Sequence, residues 1–349
     1  MTDYVELHAR SAYSFLRSAS LPKHIALACA DLGQSAIALL DRDGVYGAPA
    51  FHVTAKKHGI HAIIGAEITM TDGAVCPVLV KSQTGYRNLC RLITLTKMRA
   101  QKGEGSATPE EIATHSEGLV CLTGGEDGVF THALKSNHGN KKELEKRGAW
   151  LIDAFGKENV YVELQRHYDR NEEARNKIFV EVAQQLNLPI LATNGVCYAT
   201  RDRRELFDVL TCIREKVTLA TAGRLLATNS ERYLKSSQQM IELFVDLPEA
   251  IENTIELSSR LEFTLKDLGY QFPHYPVPEG ETMDSYLRIL TLEGAEKRYG
   301  CKPLLYERAL QQIDHELKLI KTLGLAGYFL IVWDIVEFAR KQNILIQGR

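Results

Sequence analysis

Apolar positions along the first two hundred residues gather into seven short extended stretches. They are YVELHA from Tyr4, AIALLD from Ala36, HAIIGAEI from His61, PVLVKS from Pro77, GLVCLTG from Gly118, VYVELQ from Val160 and PILATN from Pro189. Amphipathic helical patterns lie between most of them, among them PKHIALACADLG, PAFHVTAKKHG, YRNLCRLITLTKM and NKIFVEVAQQLN. Strand then helix, repeated about seven times, predicts an α/β fold with a parallel sheet, either doubly wound or closed as a TIM-like barrel. Polar residues choose between the two. His8, Asp41, Glu67, Gln165 with His167, and Asn194 each fall at or just past the C-terminal end of a predicted strand. Those ends converge on one face only in a barrel, so a barrel is expected.

The rhythm changes after residue 200. Residues 201–270 read as a helical extension, with RDRRELFDVLTCIREK and PEAIENTIELSSRLEF as the clearest segments. The joint QFPHYPVPEGE then restricts the backbone repeatedly and marks a domain boundary. Beyond it, 271–349 holds three helical patterns, a predicted short strand ILIQ, and Gly348 and Arg349, which suggests an incomplete domain. The expected organisation is therefore a βα barrel over 1–200, its helical extension over 201–270, and the start of another domain over 271–349.

Composition narrows the function classes. With 45% hydrophobic residues, 25% charged residues and a formal net charge of -2, the 349-residue chain has no overall bias toward nucleic acid or membrane. The seven cysteines are odd in number and form no CxxC, which favours reduced thiols. The longest apolar run, YFLIVW, is too short to span a bilayer, and a cytoplasmic protein is expected. One stretch is locally basic: Lys81, Arg87, Arg91, Lys97, Arg99 and Lys102 occur with Tyr86 and without an acidic residue. They either track a DNA backbone or form a solvated helix face over the barrel, and the second is the plainer reading. The turn TGGEDG lacks the P-loop lysine and the dinucleotide fingerprint.

Several segments, in order and spacing, carry a resemblance. ELHARSAYSFLRSAS, LLDRDGVYGAPAFH, IIGAEI, TGYRNLCRL, VYVELQRH and ILATNGVCY resemble the PHP (polymerase and histidinol phosphatase) domain of bacterial C-family DNA polymerases. FPHYPVPEGET and GYFLIVWDIVEFARKQNILIQGR resemble the start of that family's palm, and SFLRSAS and DRDGVYG resemble its error-prone, damage-tolerant branch. The resemblance implies a distorted (βα)7 barrel, a helical segment and an incomplete α/β palm. For the full-length polymerase it implies DNA primer-template, deoxynucleoside triphosphates and Mg2+ on palm carboxylates lying further on. A sliding clamp and damage-tolerance accessory proteins are possible partners, and Gly348 and Arg349 are candidates to lie near DNA. The runner-up is a free-standing PHP metal-dependent phosphoesterase or 3'-5' exonuclease, which has no need of the palm-like segment.

PHP enzymes bind two or three metal ions through histidines and carboxylates, and the resemblance can be carried over residue by residue. His8, Asp41, Glu67 and His167 match ligand positions. Arg10, Arg17 and Arg42 stand where a histidine, an aspartate and another histidine belong, Val75 falls near a further position, and Gly195 and Cys197 replace the closing Asp-x-His. Arginine is permanently charged and cannot ligate a cation, so no metal and no catalytic residue are expected in this chain. Three roles stay open for the arginines. They pair with Asp41 and Glu67 and make the site structural, or Arg17 points to solvent, or they bind a phosphate of DNA or another anion.

Overall fold

The structure is a computed structural model that describes residues 4–101, 103–136, 141–268 and 272–347. It divides into two compact units, Met1–Leu268 and Gly269–Arg349.

Seven strands build the first unit: β1 (Glu6–Ala9), β2 (Ala36–Arg42), β3 (His61–Thr69), β4 (Val75–Val80), β5 (Leu119–Leu122), β6 (Val160–Leu164) and β7 (Ile190–Ala192). They lie side by side in sequence order. The expectation of an all-parallel sheet fails at β4, which runs antiparallel to both β3 and β5. The cause is local. Met70 and Ala74 are joined across a tight turn by the Met70 N–H to Ala74 carbonyl bond of 2.8 Å, and so short a link cannot make the crossover that a parallel neighbour needs.

All seven strands share one apolar cluster, with Leu7, Ala38, Ile63, Leu79, Val120, Tyr161 and Leu191 each supplied by a different strand. A sheet whose first and last strands meet in the same core must curl into a barrel. At the rim above β1 and β7 the closure is by backbone: Arg10 N–H donates to the Val196 carbonyl and Val196 N–H to the His8 carbonyl, both at 2.9 Å. Lower down, the helix Pro248–Arg260 fills the seam. Its Thr254 Oγ1 accepts from Val5 N–H at 3.2 Å, its Asn253 amide donates to the Ile190 carbonyl at 2.7 Å, and its Leu257 joins the inner core. Each of the two bonds occupies a backbone group that an open edge would leave unpaired. Outer helices cover the barrel with buried side chains such as Phe51, Phe130 and Phe179, each worth roughly 2 to 3 kcal/mol of burial.

The described part of the second unit consists of three helices, Met283–Tyr299, Pro303–Thr322 and Ala326–Lys341, around Leu287, Ala326 and Leu330. The expected strand at ILIQ does not form. Residues 344–347 have no regular structure and Leu345 is 87% exposed, because no described strand offers them a ladder partner. The expected α/β character of this unit is therefore absent from its described residues, and Gly348 and Arg349 lie outside them. No single helix among the described residues is long and apolar enough to cross a membrane.

Candidate functional site

The ends of β1, β2, β3 and β6 bring one group of charges together. His8 is fully buried and both its ring nitrogens face carboxylates: Nε2 lies 2.8 Å from Glu67 and Nδ1 2.7 Å from Glu163. Glu67, equally buried, also accepts from two arginines. Arg10 Nε and Nη2 donate to Oε1 at 2.9 and 2.6 Å, and Arg42 Nε donates to Oε2 at 2.9 Å. Burial alone raises a carboxyl pKa, but here Arg10, Arg42 and His8 outweigh it and hold Glu67 well below its ordinary value. Burial likewise pulls His8 down, yet Glu163 and Glu67 together push it up to about 9, so the ring is an imidazolium at neutral pH. The second carboxylate, Glu163, is supported by the Gln165 amide at 2.7 Å and the Thr193 hydroxyl at 2.5 Å.

The anticipated pairing of arginine with Asp41 is not found. Asp41 instead accepts from Ser11 N–H at 2.7 Å, the Ser11 hydroxyl at 2.8 Å and the Ser14 hydroxyl at 2.7 Å. Burial leaves its pKa raised despite these donors. Ser14 also accepts from Arg42 N–H at 3.0 Å, so the loop after β1 is fastened to the end of β2 at both Asp41 and Arg42. Arg17, on the same loop, makes no ion pair among the described residues and lines the cavity above the centre.

The other inferred positions separate. The His167 ring is bound by Glu172 at 2.7 Å and the Asn194 carbonyl at 2.8 Å and does not join the Glu67 group. Val75 pairs with the backbone at Gly128, where its N–H holds the Asp127 carbonyl at 2.9 Å, so it fixes the TGGEDG turn. Asp127 reaches Arg42 only at 3.5 Å. Gly195 has φ +51°, and a Cβ there would come within 2.6 Å of the Gln165 amide, so a ligating side chain could be added only by displacing Gln165. The Cys197 thiol is buried 3.5 Å from Arg10 Nη1.

The basic stretch lies on and beside the helix Gln83–Arg99. Its Tyr86 stacks on Phe263 at 4.9 Å, Arg99 is engaged by Glu111, Lys81 and Lys97 are half-buried, and Arg87 and Arg91 are exposed. Lys102 lies outside the described residues.

Glu163, Ser11, Ser14 and Glu172 were not singled out by the sequence. A signal for Glu163 existed: it is two residues from both inward-facing Tyr161 and Gln165, so strand parity puts it on the barrel face. The serines gave none, because a loop hydroxyl is common.

The resemblance implies metal ions here, and the donor set does not fit them. Both His8 nitrogens and both Glu67 oxygens are engaged, two of the neighbouring groups are cations, and no cluster of His, Cys, Asp and Glu able to hold a metal occurs among the described residues. The centre stabilises its buried carboxylates with guanidinium and imidazolium charge instead.

Barrel and centre together define a PHP-type fold in which Arg10 and Arg42 converge on Glu67. In agreement, residues 6–167 match the PHP domain and residues 285–349 match the bacterial DNA polymerase III alpha NTPase domain. The chain therefore carries a PHP domain followed by a stretch similar to the bacterial DNA polymerase III alpha NTPase domain. Its curated relatives include error-prone DNA polymerases. It is 34% identical to an error-prone DNA polymerase of Alkalilimnicola ehrlichii (99% of this chain, 32% of the relative) and 36% identical to one of Pseudomonas savastanoi pv. phaseolicola (100% and 32%). It is 35% identical to one of Mycobacterium bovis (99% and 32%). The chain thus spans about a third of the length of these curated relatives.

Proposed function

We propose that the chain is the N-terminal part of an error-prone DNA-directed DNA polymerase and that its PHP centre is a structural, metal-free element. The observation that carries this reading is Glu67, whose two oxygens are taken by Arg10, Arg42 and protonated His8. Whole-chain similarity to error-prone polymerases supports the rest. The full polymerase would act in the cytoplasm on DNA primer-template and deoxynucleoside triphosphates, with Mg2+ held by carboxylates outside this chain and with a clamp and damage-tolerance proteins as partners. A hydrolytic PHP site needs metal-activated water, and the occupied donors argue against the phosphoesterase reading.

Primer extension tests the proposal. The full-length polymerase should extend a primer with Mg2+ and four triphosphates, and this chain alone should not, since two-metal transfer needs carboxylates around the reacting phosphate. Template-dependent extension by the isolated chain, abolished by a substitution within it, would refute the assignment. Metal-dependent exonuclease activity of the isolated chain, lost on Glu67→Gln, would restore the hydrolytic reading.

A further inference from the structure

Above the Glu67 centre lies a cavity of about 620 Å³ within the first unit, lined by eight arginine and lysine side chains against five carboxylates. Most of the carboxylates are already engaged: Glu126 with Arg232 at 2.8 Å, Glu172 with His167 at 2.7 Å, Glu215 with Arg214 at 2.9 Å, and Asp127 with Arg42 at 3.5 Å. Three of the cations, Arg17, Lys135 and Arg224, have no ion pair among the described residues, and Lys135 donates only to the Glu126 backbone carbonyl at 3.2 Å. Arg175 reaches Glu172 only at 3.7 Å, and its buried Nε has no partner.

We propose that this cavity is a binding site for a polyanionic phosphate, gripped by Arg17, Arg175 and Arg214 above the Glu67 centre. The three come from different directions: the loop after β1, the helix Glu172–Leu186 and the helix Arg204–Glu215. One guanidinium fork saturates a planar carboxylate, whereas convergent forks suit the several oxygens and the higher charge of linked phosphates. The walls are built, not loose. Ser18 Oγ donates to the Arg10 carbonyl at 2.9 Å and the Cys197 carbonyl at 2.7 Å, and Arg214 Nη1 donates to the Leu16 carbonyl at 3.1 Å, which fixes the loop that presents Arg17. Burial, then Arg42 and Arg214, pull the Arg17 pKa down, so these cations repel one another until an anion arrives. The same chemistry is offered by a free polyphosphate and by the backbone of a single nucleic-acid strand. This inference does not depend on the polymerase assignment.

The experiment is calorimetric titration of the purified chain with inorganic tripolyphosphate, and fluorescence anisotropy with a labelled single-stranded oligonucleotide. Both are run at about 0.1 M salt, where screening beyond ~10 Å removes diffuse attraction. Saturable tripolyphosphate binding is expected, weakened about tenfold or more by Arg17→Glu, as befits loss of a charge-assisted contact, with the unliganded melting temperature unchanged. Arg224→Ala, at an exposed rim position, serves as a milder second variant. If the oligonucleotide also binds and is displaced by tripolyphosphate, the source is a nucleic-acid strand; if only tripolyphosphate binds, it is a free polyphosphate. Absence of saturable tripolyphosphate binding, or binding of either probe indifferent to Arg17→Glu and Arg224→Ala, would overturn the proposal.

Discussion

The floor and the wall of the cavity use arginine in opposite ways. On the floor, Arg10 and Arg42 are nearly buried and share the two oxygens of Glu67 with His8. On the wall, Arg17 makes no ion pair among the described residues and lies close to the cations Arg42 and Arg214. The residue type is the same; burial and the presence of a counter-charge decide whether it holds the fold together or is left to meet a ligand. Two guanidinium groups and an imidazolium offset the charge of the two buried carboxylates on the floor.

Removing the shared carboxylate should break the comparison most severely. Glu67→Ala leaves Arg10, Arg42 and His8 without their common acceptor, and a cost of about 3 to 5 kcal/mol is expected, or roughly 10 °C in melting temperature. Arg10→Ala and Arg42→Ala should each cost less, about 1.5 to 3 kcal/mol, because the other arginine and His8 still hold Glu67. Their double variant should be worse than the sum, and a thermal double-mutant cycle reads that coupling directly. Additive losses would mean that the two arginines act independently.

The pH dependence sharpens the same contrast. The folded-state pKa of His8, about 9, lies above the ordinary 6.5, so its contribution is fully present below about 6.5 and is lost as pH rises toward 9. Glu67 is depressed, so its contribution is present above about 4.5 and is lost as pH falls. Stability should therefore decline from pH 6.5 to 9 by at most about 1.4 kcal/mol per pH unit from His8, and His8→Gln should flatten that decline in denaturant titrations. The smallest effect belongs to the wall: Arg17→Ala should change stability by less than about 0.5 kcal/mol, since it breaks no ion pair. A larger loss would place Arg17 with the floor.

The barrel was legible because each strand announced itself by apolar runs and because His8, Asp41 and Glu67 sit at strand ends, where convergence follows from topology. The reversal of β4 was missed, since the apolar pattern of a buried strand carries no direction and only the shortness of the Met70-to-Ala74 turn reveals it. ILIQ shows the converse error: β-branched and aliphatic residues satisfy a propensity but supply no partner strand. In the site, the charge substitution was readable from Arg10 and Arg42 beside Glu67. Its wiring was not, because the capture of Asp41 by Ser11 and Ser14 depends on the path of a loop, and the approach of Glu163 to His8 depends on how the sheet closes.

The central claim is that guanidinium and imidazolium charge stands where a PHP hydrolase would hold metal ions. Its most direct test is elemental analysis of the purified chain after incubation with excess zinc and manganese and exhaustive dialysis. The account predicts no stoichiometric metal in the wild type or in Arg17→Ala; a stoichiometric ion that is lost on Glu67→Gln would contradict it.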